Sequence, residues 1–418
     1  MNLAVISVVA LAIAVLVSCF TSLNVGVLAI AMAWIVGVYI GGIPLNTVIA
    51  GFPTSLFLTL VGVTLLFSLA QTNGTLDKLA HHAVRLCRGN RGVVPVMFFV
   101  MATAIASMGP GNIATAALLA PMAMGTASRA GIPLFLMAIM VGNGANAGSL
   151  SPFAPTGIIV NGLMARMNMA GFEVQTYLSN LLAHALVAFG GYFLFGGLKL
   201  FRSIDRARAV DPAAVLETTR ADQPFEARQW ATLGVIGALL VGAIFFEVNV
   251  GFGAFLCSVI LVLTGCADDG EAIKRMPWRV IIMVTGVTVL IAIMEKAQGI
   301  DLMVSLVARI STAGTVTGVV ALIVGVISVY SSTSGVVLPA FLPMVPGLAH
   351  QLGVTDALGI ANAMNVGGHL VDVSPLSTIG ALCLAGASSE ESRPLFNKLL
   401  AWGLSMAIVG AIICYVAF

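Results

Sequence analysis

The chain of 418 residues is 59% apolar and only 9% charged, whereas a soluble domain carries roughly 25% charged residues. With a mean hydropathy of +1.06 it has too little polar surface to face water and belongs in lipid. A formal charge of +2 excludes nucleic acid as a partner, and the 45 glycines fit membrane helices, where Gly and Pro are more frequent than in soluble ones.

A span needs roughly 20 residues to cross a core of about 30 Å. In chain order the first half offers residues 3–20, 25–42, 53–69, 133–142 continuing after a break into 158–164, and 178–201. The second half offers 231–247, 253–264, 280–294, 358–366 continuing into 376–387, and 399–416. Residues 1–20 lack a basic start and an A-x-A site, so they read as a retained span, not a signal peptide. Between the spans, residues 93–108 turn at Gly109-Pro110-Gly111-Asn112 and return through 114–124. Likewise 316–330 turn at Ser331-Ser332-Thr333-Ser334-Gly335 and return through 336–348. Each arm is short for a full crossing, which predicts two re-entrant hairpins, tolerated at depth only when buried in protein or facing a water-filled cavity. Residues 77–91 read as an interfacial helix. The six cysteines (Cys19, Cys87, Cys257, Cys266, Cys383 and Cys414) lack CxxC spacing and read as buried thiols.

With five crossings per half and both termini outside, 16 of the 19 Lys and Arg fall inside, against Arg166, Lys296 and Arg309 outside. That asymmetry satisfies the positive-inside rule. The chain also repeats itself at an offset of about 225 residues. Asn24-Val25-Gly26 recurs as Asn249-Val250-Gly251, Gly62-Val63-Thr64 as Gly286-Val287-Thr288, and Gly74 as Gly299. Pro121-Met122 recurs as Pro343-Met344, and Ser151-Pro152 with Gly157 as Ser374-Pro375 with Gly380. Ordered matches of this kind indicate a duplicated unit. Five crossings per unit make the second copy inverted, the architecture of secondary transporters with a midplane site.

Four polar, glycine-rich breaks would then meet near the membrane centre: the two hairpin tips, residues 143–152 and residues 365–375. Half-helix N-termini suit a carboxylate, and freed carbonyls, amides and hydroxyls suit a sodium ion. His369 and Asp372, spaced i, i+3, form an ionisable pair within a broken span. They act as a carboxylate donor and a proton or cation relay, or else simply satisfy each other. His184 reads as a packing residue; His81, His82 and His350 read as solvated loop residues.

The tips and breaks resemble the ion transporter superfamily, in particular the divalent anion/sodium symporters. The nearest resemblance is to the malonate and dicarboxylate carriers (MatC-like), through residues 365–380 and 149–157. In those symporters each tip reads Ser-Asn-Thr; here the tips read Gly111-Asn112-Ile113 and Thr333-Ser334-Gly335, and Ser107 stands where the family places another sodium-facing serine. The resemblance implies a homodimer with a fixed scaffold and an elevator-like moving part.

The expectation is thus an all-α polytopic protein of a bacterial-type inner membrane, an inverted repeat with one hairpin and one midplane broken helix per half. Residues 1–45 and 230–267 are the scaffold, 46–200 and 268–418 the moving parts, and 201–229 a cytoplasmic linker. The expected activity is sodium-coupled symport of malonate or a C4 dicarboxylate. A proton-coupled carrier using Asp372 and His369, and a cation/proton antiporter, are the alternatives. Asn112, Thr333, Ser334, His369, Ser151 and Ser374 are the candidate substrate ligands. Ser107, Asn112, Asn146, Gly148, Ser334 and Gly368 are the candidate sodium ligands, with Asp372 as the coupling residue. No cofactor and no enzymatic centre is expected: HExxH, GxSxG and paired carboxylates at depth are missing from the sequence.

Overall fold

The structure is a computed structural model describing residues 2–21, 23–85, 90–202, 224–387 and 389–418. Cys87, Arg88 and most of the expected linker, with Arg206, Arg208 and Arg220, lie outside the described residues. So do the side chains of Cys19, His81, Arg85 and Arg202.

Among the described residues every element is helical. Seven helices are long and apolar enough to cross a membrane, and shorter apolar helices of 10–17 residues accompany them. In chain order the helices are α1 (Leu3–Phe20), α2 (Val25–Trp34, extended by a π-helical turn), α3 (Leu45–Ala50), α4 (Thr54–Thr72) and α5 (Thr75–Arg85). The first hairpin is α6 (Val93–Met108) and α7 (Gly111–Ala130), followed by α8 (Leu134–Gly148), α9 (Pro155–Arg166), α10 (Glu173–Leu194) and α11 (Gly197–Arg202). The second half begins with α12 (Ala227–Phe245), α13 (Val250–Leu263), α14 (Asp269–Arg275), α15 (Trp278–Lys296) and α16 (Gly299–Ala308). Its hairpin descends as α17 (Val316–Ser328) and returns through a π-helical turn (Thr333–Val337), α18 (Leu338–Phe341) and α19 (Val345–Leu352). Then come α20 (Ala357–Leu370), α21 (Thr378–Ala385) and α22 (Ser389–Ala417).

The outward faces of α1, α12 and α13 present Val9, Ile13, Val241, Ile244, Leu256 and Val259, a lipid-facing surface in place of a polar one. The centre is α8 and α20. Residues 136–149 are buried without interruption, and so are 359–371.

The repeated triplets have a mechanical role. Asn24 and Asn249 cap the starts of α2 and α13, accepting from Gly26 N at 2.9 Å and Phe252 N at 3.1 Å. The glycines that follow are contact points. A Cβ on Gly26 would lie 2.0 Å from the Ile282 carbonyl oxygen, and one on Gly286 2.2 Å from that of Gly26. In the other half a Cβ on Gly62 would lie 2.4 Å from the Gly251 carbonyl oxygen, and one on Gly251 2.7 Å from Thr59 Cα. Sequence-matched glycines thus let α2 lie backbone to backbone on α15, and α13 on α4, as small residues do in membrane helix pairs.

The breaks sit later than the sequence indicates. Asn143–Gly148 remain helical, and the interruption covers Ser149–Ala154; α20 likewise continues to Leu370. The amides do not end the helix because they find partners: Asn143 Nδ2 donates to Ile139 O at 2.9 Å, and Asn146 reaches across to a neighbouring helix. The real stop comes with proline, which has no N–H to continue the ladder. Pro152 and Pro375 lie in the two breaks, and Pro155 opens α9 at its favoured first turn. After each break the chain packs back on itself. A Cβ on Gly157 would lie 1.9 Å from Ser151 O, and one on Gly380 2.0 Å from Ser374 O.

Gly26→Ala and Gly286→Ala should each destabilise the protein by about 1–3 kcal/mol through overpacking. Gly234→Ala, where a Cβ meets nothing within 4 Å, should be neutral; thermal unfolding in detergent compares them.

Candidate functional site

The first hairpin turns on Gly109 and Gly111, whose φ of 142° and 75° favour glycine. The second turns at Ser332, whose hydroxyl accepts from Gly335 N at 3.2 Å. Both tips reach one cavity of about 500 Å³. Asn112 and Ile113 enter it from the first tip, Ser331–Ser334 from the second, Asp372 and Ser377 from the second break, and Arg279 from the start of α15. A second cavity of about 280 Å³ shares Asn112, Ile113, Val280 and Ser334 with the first and extends to Thr156 and Arg275. Asn112 and Ser334 therefore stand at the waist between the two.

The tips are held by a chain of amides. Asn112 Nδ2 donates to Asn146 Oδ1 at 2.9 Å, and its own Oδ1 accepts from Ile113 N at 3.0 Å. Asn146 Nδ2 donates to the His369 carbonyl at 3.3 Å. One side chain, Asn146, thus joins the first tip, the end of α8 and the end of α20. On the other side Thr333 Oγ1 lies 2.8 Å from Asp372 Oδ1 and 3.2 Å from Gly368 O. A hydroxyl has one hydrogen, so two acceptors share a single donor there.

Of the sequence-predicted residues, Asn112, Thr333, Ser334 and Asp372 line the cavity, and Gly368 stands directly behind Thr333. The others lie in the packing around it. Ser107 Oγ donates to Thr103 O at 2.6 Å and pairs with Tyr177 Oη at 2.9 Å, while its carbonyl accepts from Ser151 Oγ at 2.7 Å. Gly148 gives close approach, its Cβ position being 2.6 Å from Thr103 O. Ser374 is fully enclosed, and its carbonyl accepts from Ser377 Oγ at 2.7 Å. Asn146 has both ends of its amide engaged.

The His369–Asp372 pair does not form. The His369 ring is fully buried with Nδ1 on Asn365 O at 2.8 Å, and Asp372 turns to Thr333. An i, i+3 spacing pairs side chains on a continuous helix, but α20 ends at Leu370 and a 3-10 turn follows, which rotates Asp372 away. His184 is a buried packing residue, as expected, with Nδ1 2.9 Å from Asn143 Oδ1. His82 and His350 lie not in loops but in α5 and α19.

Arg279 and Arg275 escape the sequence reading because basic residues beside a span read as interfacial anchors. A signal existed. Aligning Gly62 with Gly286 sets Pro53 on Pro277 and Ser55 on Arg279, so the second half carries a cation where the first has a hydroxyl.

Helices with apolar outer faces, two hairpins meeting at one cavity and two interrupted central helices define a multi-pass membrane protein with an internal polar cavity. Residues 1–149 match the family described as dicarboxylate carrier protein MatC N-terminus. The MatC-like resemblance is thereby borne out over a segment that holds the first hairpin and the whole of α8, with Asn112 and Asn146. None of the curated proteins compared with the chain matches it.

Asn112→Ala and Asn146→Ala should each cost about 1–3 kcal/mol by leaving a buried partner unpaired. In a double-mutant cycle the two should couple by about 0.5–3 kcal/mol, measured by thermal unfolding.

Proposed function

We propose that this chain is a secondary active transporter that imports a small dicarboxylate, malonate or a C4 dicarboxylate, together with sodium. The observation that carries this reading is the convergence of both tips on one cavity bearing Arg279 on one wall and Asp372 on another. The MatC match over residues 1–149 supports the substrate class. Asn112, Thr333 and Ser334 are the proposed tip ligands, with Arg279 facing one carboxylate; an Arg fork suits a carboxylate bidentately. Ser151, Ser374 and His369 support the site from behind.

A dianion beside the Asp372 carboxylate requires a positive charge between them. Sodium held by Asp372, Thr333 Oγ1 and Gly368 O would supply it, and each ligand would then favour the other's binding. A proton on Asp372 is the second reading, favoured by the single hydrogen shared among those three oxygens. His369, tied to Asn365, has no part in it.

The matched glycine contacts support an inverted repeat of five spans with one hairpin each. They also favour moving the boundary between fixed and mobile parts. With α4 seated on α13 and α15 on α2, both helices go with the scaffold, and the hairpins with α8–α10 and α20–α22 form the mobile part of an elevator in a homodimer. With both termini outside in an inner membrane, the cavity of Arg279 opens to the cytoplasm.

In proteoliposomes, labelled malonate or succinate should accumulate down an imposed sodium gradient, and replacing sodium with choline should abolish uptake. Undiminished uptake in choline that follows a proton gradient would replace sodium with the proton. Ser334→Ala and Arg279→Gln should each raise KM about tenfold, the effect of losing one charge-assisted contact.

A further inference from the structure

Behind the tips, α10 and α20 enclose a second polar cluster that the transport reading leaves unused. Asn180 and His184 project from α10, and Asn362, Asn365 and His369 from α20; all five are at least nine-tenths buried, and none lines the tip cavity. Asn362 Nδ2 reaches Ser179 Oγ at 3.4 Å and α10 packs along α20, so the two faces run side by side. Among the described residues ten buried side-chain polar atoms lack a hydrogen-bond partner, and six of the ten belong to these five residues.

Their chemistry is one-sided. His369 Nδ1 faces a carbonyl, which only accepts, so Nδ1 carries the hydrogen and Nε2 is a bare lone pair. Asn143 Nδ2 donates to Ile139 O, so the Oδ1 facing His184 Nδ1 accepts, and His184 Nε2 is likewise a lone pair. Asn180 Nδ2 gives one of its two hydrogens to Asn146 O at 2.8 Å and Asn362 Nδ2 one to Ser179 Oγ, while both Oδ1 atoms stay unpaired. Asn365 has both ends of its amide unpaired. Five of the six unpaired atoms are thus acceptors, and a cation is the one partner that satisfies several buried acceptors at once. The ends of α8 and α20 fall beside the cluster at Asn146 and His369, and helix C-termini carry partial negative charge. The set contains no carboxylate or thiolate, so it cannot neutralise a double charge at this depth. Three amide oxygens are hard, neutral ligands suited to an alkali ion.

We infer that Asn180, Asn362 and Asn365 form a binding site for one sodium ion between α10 and α20, apart from the tip cavity, with His184 and His369 accepting from its hydrating water. The inference needs no dicarboxylate and stands apart from the transport reading. Radioactive sodium binding to the purified full chain, without dicarboxylate, counts ions per chain. Asn180→Leu and Asn362→Leu should each bind one ion fewer than the unaltered protein. Asn180→Asp, which keeps the shape and adds a charge, should keep the ion and tighten its binding about tenfold. An unchanged count in the Leu variants, an unchanged affinity in Asn180→Asp, or no sodium bound by the unaltered protein would overturn the inference and leave water as the occupant.

Discussion

Within hydrocarbon, any polar group freed from a helix has to find its partner inside the protein, and here one amide meets much of that demand. Asn146 takes a hydrogen bond from the first tip and gives one to the last turn of α20, while its backbone carbonyl accepts from Asn180. Remove it and the tip, the two central helices and α10 each lose a fixed point. The interruptions of α8 and α20 persist because their loose ends are tied to one another and not to lipid.

The second constraint is steric. Matched glycines in the two halves remove side chains at the places where α2 meets α15 and α13 meets α4. Each pair joins one helix from either half, so the halves interlock and do not merely abut. What remains between these rigid pairs and the hairpins is the space that becomes the cavity. Its charge is unequal, with Arg279 and Asp372 both drawn from the second half.

Much of this was legible in the sequence. Apolar runs located α1 and the first arm of the first hairpin to the residue, because nothing interrupts their hydropathy. Repeated Asn-Val-Gly and Gly-Val-Thr triplets marked the contact helices. The breaks were placed too early because Asn143 and Asn146 look like helix enders in isolation; only tertiary partners let them stay helical. His369 and Asp372 were paired on the geometry of a continuous helix that stops between them. Of the Asn180–His184 face only His184 stands out in the sequence, since Asn180 does not disturb the hydropathy of α10. Arg279 was hidden by the ordinary role of basic residues at span ends.

The central claim is that the two hairpin tips meet in a water-reached pocket that holds a dianion. A single cysteine at position 334, in a protein otherwise free of cysteine, measures this with a membrane-impermeant thiol reagent. The account predicts labelling from the aqueous phase that malonate or succinate slows. No labelling from either side of the membrane, or labelling indifferent to every dicarboxylate, would contradict it.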